Sequence, residues 1–113
     1  MKVTVYEKPT CSTCRNLFKI LTERGIDFEK VEYLINPISK TKLKELVRKS
    51  GGSIRDFVRT KEPEYKELNV AKMGDDEIYD VLAKVPVLVQ RPIVEIDDKA
   101  IVARPADKVL EIL

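Results

Sequence analysis

The first thirty-four residues change periodicity twice, and that change limits the folds open to the chain. "VTVY" (3–6) alternates and is rich in β-branched residues, as a strand should be. After the break at "KPT", Cys14, Leu17, Phe18 and Leu21 recur at helical spacing, predicting a helix from Cys11 to about Arg24. Gly25 suits the left-handed position that ends such a helix. "DFEKVEYL" (27–34) then reads as a second strand, closed by "INP". A strand–helix–strand unit of this size crosses over right-handed and leaves its two strands parallel.

The next fifty residues are helical in pattern. Ser39 can cap "KTKLKELVRK", with Leu43, Leu46 and Val47 on one face and Gly51–Gly52 at the stop. Ser53 can cap a short "IRDFV" helix, "EPEYKEL" allows a turn or two, and Asp75 or Asp76 can cap "EIYDVLAKV", with Ile78, Val81, Leu82 and Val85 inward. Strand character returns in "VPVLVQRPIVEI", divided by two prolines. "DDK" (97–99) turns it into a hairpin with "AIVA", and Pro105 opens a last helix, "ADKVLEIL", with Val109, Leu110, Ile112 and Leu113 inward. The order βαβ, helical insert, ββα predicts an α/β, thioredoxin-like fold: a single domain over 1–113 with an all-helical insertion at about 38–85.

The 113 residues suffice for one hydrophobic core. With 43% hydrophobic and 35% charged residues the chain is of globular composition. Its 21 basic and 19 acidic side chains, interleaved along helices, give no electrostatic footprint for direct nucleic-acid binding. No apolar run is long enough to span a membrane, and "MKVTVYEKPT" lacks the apolar core of a secretory signal, so a cytoplasmic location is expected.

In that reducing setting the two cysteines of "PTCSTCRN" read as functional. Cys11 falls where the first strand hands over to the first helix, so unpaired N–H groups and the positive end of the helix dipole favour its thiolate. Arg15 adds positive charge nearby. Cys11 is therefore the expected nucleophile. Cys14, one turn deeper on the apolar stripe, can resolve a disulfide with it or simply pack the helix end. A zinc site is disfavoured, because the chain has no histidine and only these two cysteines. Arg59, Arg91 and Arg104 form a second set of candidates, two of them held beside prolines. Guanidinium groups grip oxyanions through two bonds at once, which lysine does not reproduce. Spacing alone leaves a surface role open for each.

"YEKPTCSTCRN", "YLINP", "RTKEPEYKELNV", "VLVQRPIV" and "ARPADKVLEIL", taken in order along residues 3 to 113, resemble the ArsC/Spx family of glutaredoxin-type arsenate reductases and their relatives. The resemblance implies that Cys11 attacks arsenate, that Arg59, Arg91 and Arg104 hold the anion, and that the Arg91–Pro92 bond is cis. It implies an external thiol reductant (glutathione, glutaredoxin or thioredoxin) and no bound cofactor. Two departures stand out. Many such reductases carry histidine where this chain has Glu7, and a glutamate there opposes thiolate formation unless it pairs with Arg15 or Lys8. They also often lack a cysteine at the Cys14 position. The C-x-x-C resembles instead the family's redox-sensing regulators that bind RNA polymerase, although those do not generally keep all three arginines. A general thiol–disulfide oxidoreductase is the third reading.

Overall fold

The computed structural model describes all 113 residues, Met1–Leu113. Its four-stranded mixed sheet has the order β2-β1-β3-β4. Strand β1 (Val3–Glu7) lies parallel to β2 (Glu29–Glu32), Val5 opposite Lys30, and antiparallel to β3 (Ile93–Ile96), Val5 opposite Val94. β3 returns through a hairpin to β4 (Lys99–Val102), with Asp97 at φ 52° in its turn.

The two faces of the sheet carry different layers. Val3, Val5, Val94 and Ile96 face α1 (Ser12–Glu23) and the C-terminal segment, packing with Leu17, Leu21, Ala103, Ala106 and Val109. Tyr6, Ile93 and Ala100 point the other way, into a larger cluster with Leu43, Leu46, Phe57, Ile78 and Leu82 from the helical insert. Covering both faces explains why β1 and β3 are buried almost without alternation.

Local signals set the helix ends. The Gly25 N–H bonds to the Thr22 carbonyl and the Ile26 N–H to Leu21, the Schellman arrangement, with Gly25 at φ 69°. The Ser39 side chain accepts from the Lys42 N–H at 3.1 Å and caps α2 (Lys40–Ser50), which stops at Gly51, φ 73°. Ser53 and Asp56 form a reciprocal capping box on the 3₁₀ turn Ile54–Phe57. A short α3 (Pro63–Glu67) follows, and then α4 (Asp75–Lys84).

Four expectations need correction. Gly74, not Asp75 or Asp76, occupies the N-cap of α4; both acids sit in its first turn, where the helix dipole stabilises them, and Val81 and Val85 are only half-buried. Strand structure in "VPVLVQRPIVEI" is confined to Ile93–Ile96, because Pro86 opens a 3₁₀ turn and neither proline has an N–H for a ladder. β2 is four residues long, shorter than the 27–34 expected. The last helix is 3₁₀ (Ala106–Glu111), with Pro105 at its N-cap. Three residues per turn stack Ala106, Val109 and Ile112 on one side, which turns Leu110 and Leu113 out to solvent.

Candidate active site

Cys11 is the N-cap of α1. Its N–H bonds back to the Lys8 carbonyl at 3.0 Å, and its Sγ accepts from the Cys14 N–H at 3.3 Å. The chain thus turns sharply from β1 into α1 with the sulfur at the helix mouth. Cys11 is partly exposed and Cys14 fully buried, both as free thiols. Burial works against charge on Cys11. The Cys14 thiol and N–H, the Arg104 guanidinium and the charge of Arg91 outweigh it, and the Cys11 pKa is lowered. Cys14 goes the opposite way: burial, then its hydrogen bond to Cys11, push its thiol up to about 12. One sulfur is prepared to ionise and the other to stay protonated.

The arginines are assembled by two short pairings outside the main sheet. The Arg59 N–H bonds to the Leu88 carbonyl and the Gln90 N–H to the Phe57 carbonyl, each at 2.7 Å, with Val58 bridging Val89. This pins the insert to the segment that carries Arg91. The Ala103 N–H bonds to the Pro92 carbonyl at 2.9 Å, and Arg104 Nη1 donates to the Arg91 carbonyl at 3.0 Å. Three distant stretches therefore meet at one place. Both Arg91–Pro92 and Arg104–Pro105 are cis.

Arg91 is 6% exposed. Its Nη1 donates to the Tyr33 hydroxyl at 3.2 Å, and that hydroxyl donates to the Val89 carbonyl at 2.7 Å. Its Nη2 lies 4.0 Å from Glu62 Oε1, which also pairs with Arg59 Nε at 3.1 Å. Its Nε has no partner in the protein. Burial opposes its charge, but Tyr33, Cys11 and Glu62 more than offset this and raise its pKa further. Arg59 and Arg104 line a cleft of about 240 Å³ with Thr60, Lys61 and Gln90. A larger groove of about 740 Å³ shares Gln90 and Arg104 but runs along β4 to Lys99 and Lys108. The smaller cleft is where two of the three arginines meet.

The structure thus brings Cys11, Cys14, Arg91 and Arg104 together, joins Arg59 to them through Glu62, and buries Pro92 beside Arg91. Arg15 departs from expectation: it is exposed, and the cations acting on the sulfur are Arg104 and Arg91. Glu7 pairs with neither Arg15 nor Lys8. It is 3% exposed and its Oε2 has no partner. Burial, reinforced by Glu32 and opposed by Lys30, raises its pKa, and the thiol whose ionisation it opposes is Cys14. Tyr33 and Glu62 were not singled out from sequence. Glu62 had a weak signal, standing three residues from Arg59; a lone tyrosine on a strand reads as core.

The family model for the ArsC family matches residues 6–112. The Escherichia coli protein YfgD is 36% identical, over 99% of this chain and 97% of its own. An arsenate reductase of Rhizobium meliloti is 34% identical, over 100% of this chain and 82% of its own. The solved arsenate reductase from Vibrio cholerae superposes with a TM-score of 0.95 at 37% identity, covering 100% of this chain and 98% of that one. A parallel β1–β2 pair, a β3–β4 hairpin and a cysteine at the mouth of α1 thus come with sequence likeness along nearly the whole length, and the chain belongs to the ArsC family.

Proposed function

We propose that this protein reduces arsenate to arsenite by thiol chemistry at Cys11. The observation that carries the reading is Arg91: a guanidinium 6% exposed, acting on the Cys11 charge, with one N–H that nothing in the protein accepts. A buried donor without an acceptor is costly unless a ligand completes it. We assign that acceptor to an oxyanion bound against Cys11, and the names of the relatives favour arsenate.

Arsenate enters between Arg59, Arg91 and Arg104, which orient it and offset charge repulsion with the thiolate. The Cys11 thiolate attacks arsenic; an S–As bond forms, an As–O bond breaks, and the departing hydroxyl takes a proton from solvent and leaves as water. A second thiol then attacks the Cys11 sulfur. The S–S bond forms, the S–As bond breaks, and its electron pair stays on arsenic, which leaves as arsenite. Cys14 supplies that thiol, and glutaredoxin, thioredoxin or glutathione reduces the resulting disulfide. Residues 1–113 act as one domain, whose insertion contributes Arg59. Work of this kind, needing two free thiols between turnovers, belongs in the cytoplasm; no helix is long and apolar enough to cross a membrane.

The test is intact mass of the reduced protein after incubation with arsenate. Disulfide formation that requires arsenate and Cys11 is expected. Oxidation indifferent to arsenate, with polymerase co-purification that changes on peroxide treatment, would favour the regulator. Reduction of insulin with no arsenate response would favour a general oxidoreductase.

A further inference from the structure

Cys14 must lose a proton to attack the Cys11 sulfur, yet it is fully buried at the foot of α1. Val3, Val5 and Glu7 share one face of β1, and α1 lies against that face through Leu17 and Leu21. β1 leads directly into α1, so Glu7 at the end of the strand is level with the helix's first turn, which holds Cys14. Glu7 brings a carboxyl oxygen, Oε2, that is buried and has no donor within hydrogen-bond distance. The Cys14 thiol is held by Cys11 in this state, and it is released to turn toward Glu7 once the Cys11 sulfur carries a substituent. We propose that Glu7 accepts the Cys14 proton during this attack and passes it to solvent. It rests on the reading of Cys14 as the resolving thiol.

The surroundings fit that task. Glu7 also lines a cleft of about 440 Å³ with Lys30, Val31, Glu32 and Asn36 at the β2 edge, a route by which the proton leaves. The ionisable groups that act on Glu7 are Glu32 and Lys30 of β2; Glu7 in turn acts on Cys14 of α1. Burial and Glu32 hold the Glu7 carboxyl above its ordinary range, nearer the working pH, which suits a proton acceptor. In the step itself the S–S bond forms and the Cys11–arsenic bond breaks, with its electron pair left on arsenic. The Cys14 proton goes to the Glu7 carboxylate.

A mixed disulfide of Cys11 with thionitrobenzoate tests this without arsenate. Attack by Cys14 releases a second, coloured thiolate, and in this adduct Cys11 no longer titrates. Glu7→Gln is expected to slow the second release by roughly a hundredfold. A purely electrostatic role predicts the reverse sign, since removing a negative charge makes Cys14 the stronger acid and speeds release. An unchanged or faster second release in Glu7→Gln overturns the proposal. The wild-type pH profile serves where that variant folds poorly: a rate that is level with pH above the Glu7 titration and falls below it is expected, and a rate that climbs tenfold per pH unit throughout, as attack by a free Cys14 thiolate requires, overturns the proposal. Absence of any second release from the wild-type protein is a different result; it removes Cys14 as the resolving thiol, and the role of Glu7 with it.

Discussion

Arg91→Lys keeps the positive charge and removes the fork, so it separates charge from geometry. Arg91 spends one nitrogen on Tyr33 at 3.2 Å, holds another 4.0 Å from Glu62, and keeps Nε unpartnered. A lysine has one nitrogen for all of these, so at least one charge-assisted bond to the oxyanion is lost. Such a bond contributes about 1.5–3 kcal/mol. That corresponds to a fall in kcat/KM for arsenate of roughly ten- to a hundredfold or slightly more. The Cys11 pKa should hardly move, because Arg91 lowers it through charge, which lysine retains. Steady-state kinetics with arsenate and an ultraviolet titration of the Cys11 thiolate, run on the same preparation, check both halves. Unchanged kcat/KM refutes the clamp; an equal loss explained by a raised thiol pKa refutes the separation of charge from geometry.

Other outcomes follow from the same contacts. Tyr33→Phe removes the hydroxyl that bridges Arg91 and the Val89 carbonyl, and should cost about 1–3 kcal/mol in denaturant unfolding and lower arsenate kcat/KM as well. Glu95→Gln should cost about 1–3 kcal/mol, because Glu95 Oε2 pairs with Lys42 at 2.8 Å and Lys49 at 2.6 Å and both lysines keep only the more exposed Glu45 as an anionic partner. Burial opposes the Glu95 charge, but Lys42, Lys49 and Tyr6 lower its pKa overall. Its stabilisation is therefore present above the unfolded carboxyl range and lost as pH falls through the folded value, so the variant's deficit in chemical denaturation should shrink in acid. The sign reverses for Glu7, whose folded pKa is raised: Glu7→Gln should be more stable than wild type at neutral pH and lose that advantage as pH falls. Arg104→Ala should shift the pH midpoint of Cys11 alkylation upward, since Arg104 is one of the groups that lower it.

The parts legible in the sequence were those set by neighbours along the chain. The stripe of Cys14, Leu17 and Leu21 and the Gly25 stop fixed α1 because an α-helix repeats locally, and the position of Cys11 at its mouth followed. Ser39 and Ser53 marked real helix starts for the same reason. What escaped were arrangements made by distant pairing. Nothing near Arg59 announces that residues 57–59 pair with 88–90, yet that contact delivers the arginine to the site. Glu95, between Val94 and Ile96, has the pattern of an outward-facing residue; the insert covers that face, and Lys42, Lys49 and Tyr6 satisfy it. The C-terminal segment was misread because "ADKVLEIL" has apolar residues for either helical period, and only packing against α1 selects the tighter one. Arg59, Arg91 and Arg104 stood out as candidates by their chemistry and, for two of them, the proline beside them, but spacing left a surface role open for each, and only the family resemblance implied that they converge on one anion.

The most direct test of the central claim is the anomalous X-ray signal of arsenic in crystals of the reduced protein soaked with arsenate. The account predicts a peak at bonding or contact distance from Cys11 Sγ, its oxygens met by the guanidinium groups of Arg59, Arg91 and Arg104. Arsenic bound elsewhere, or at Cys11 with those three side chains turned away from its oxygens, would contradict it.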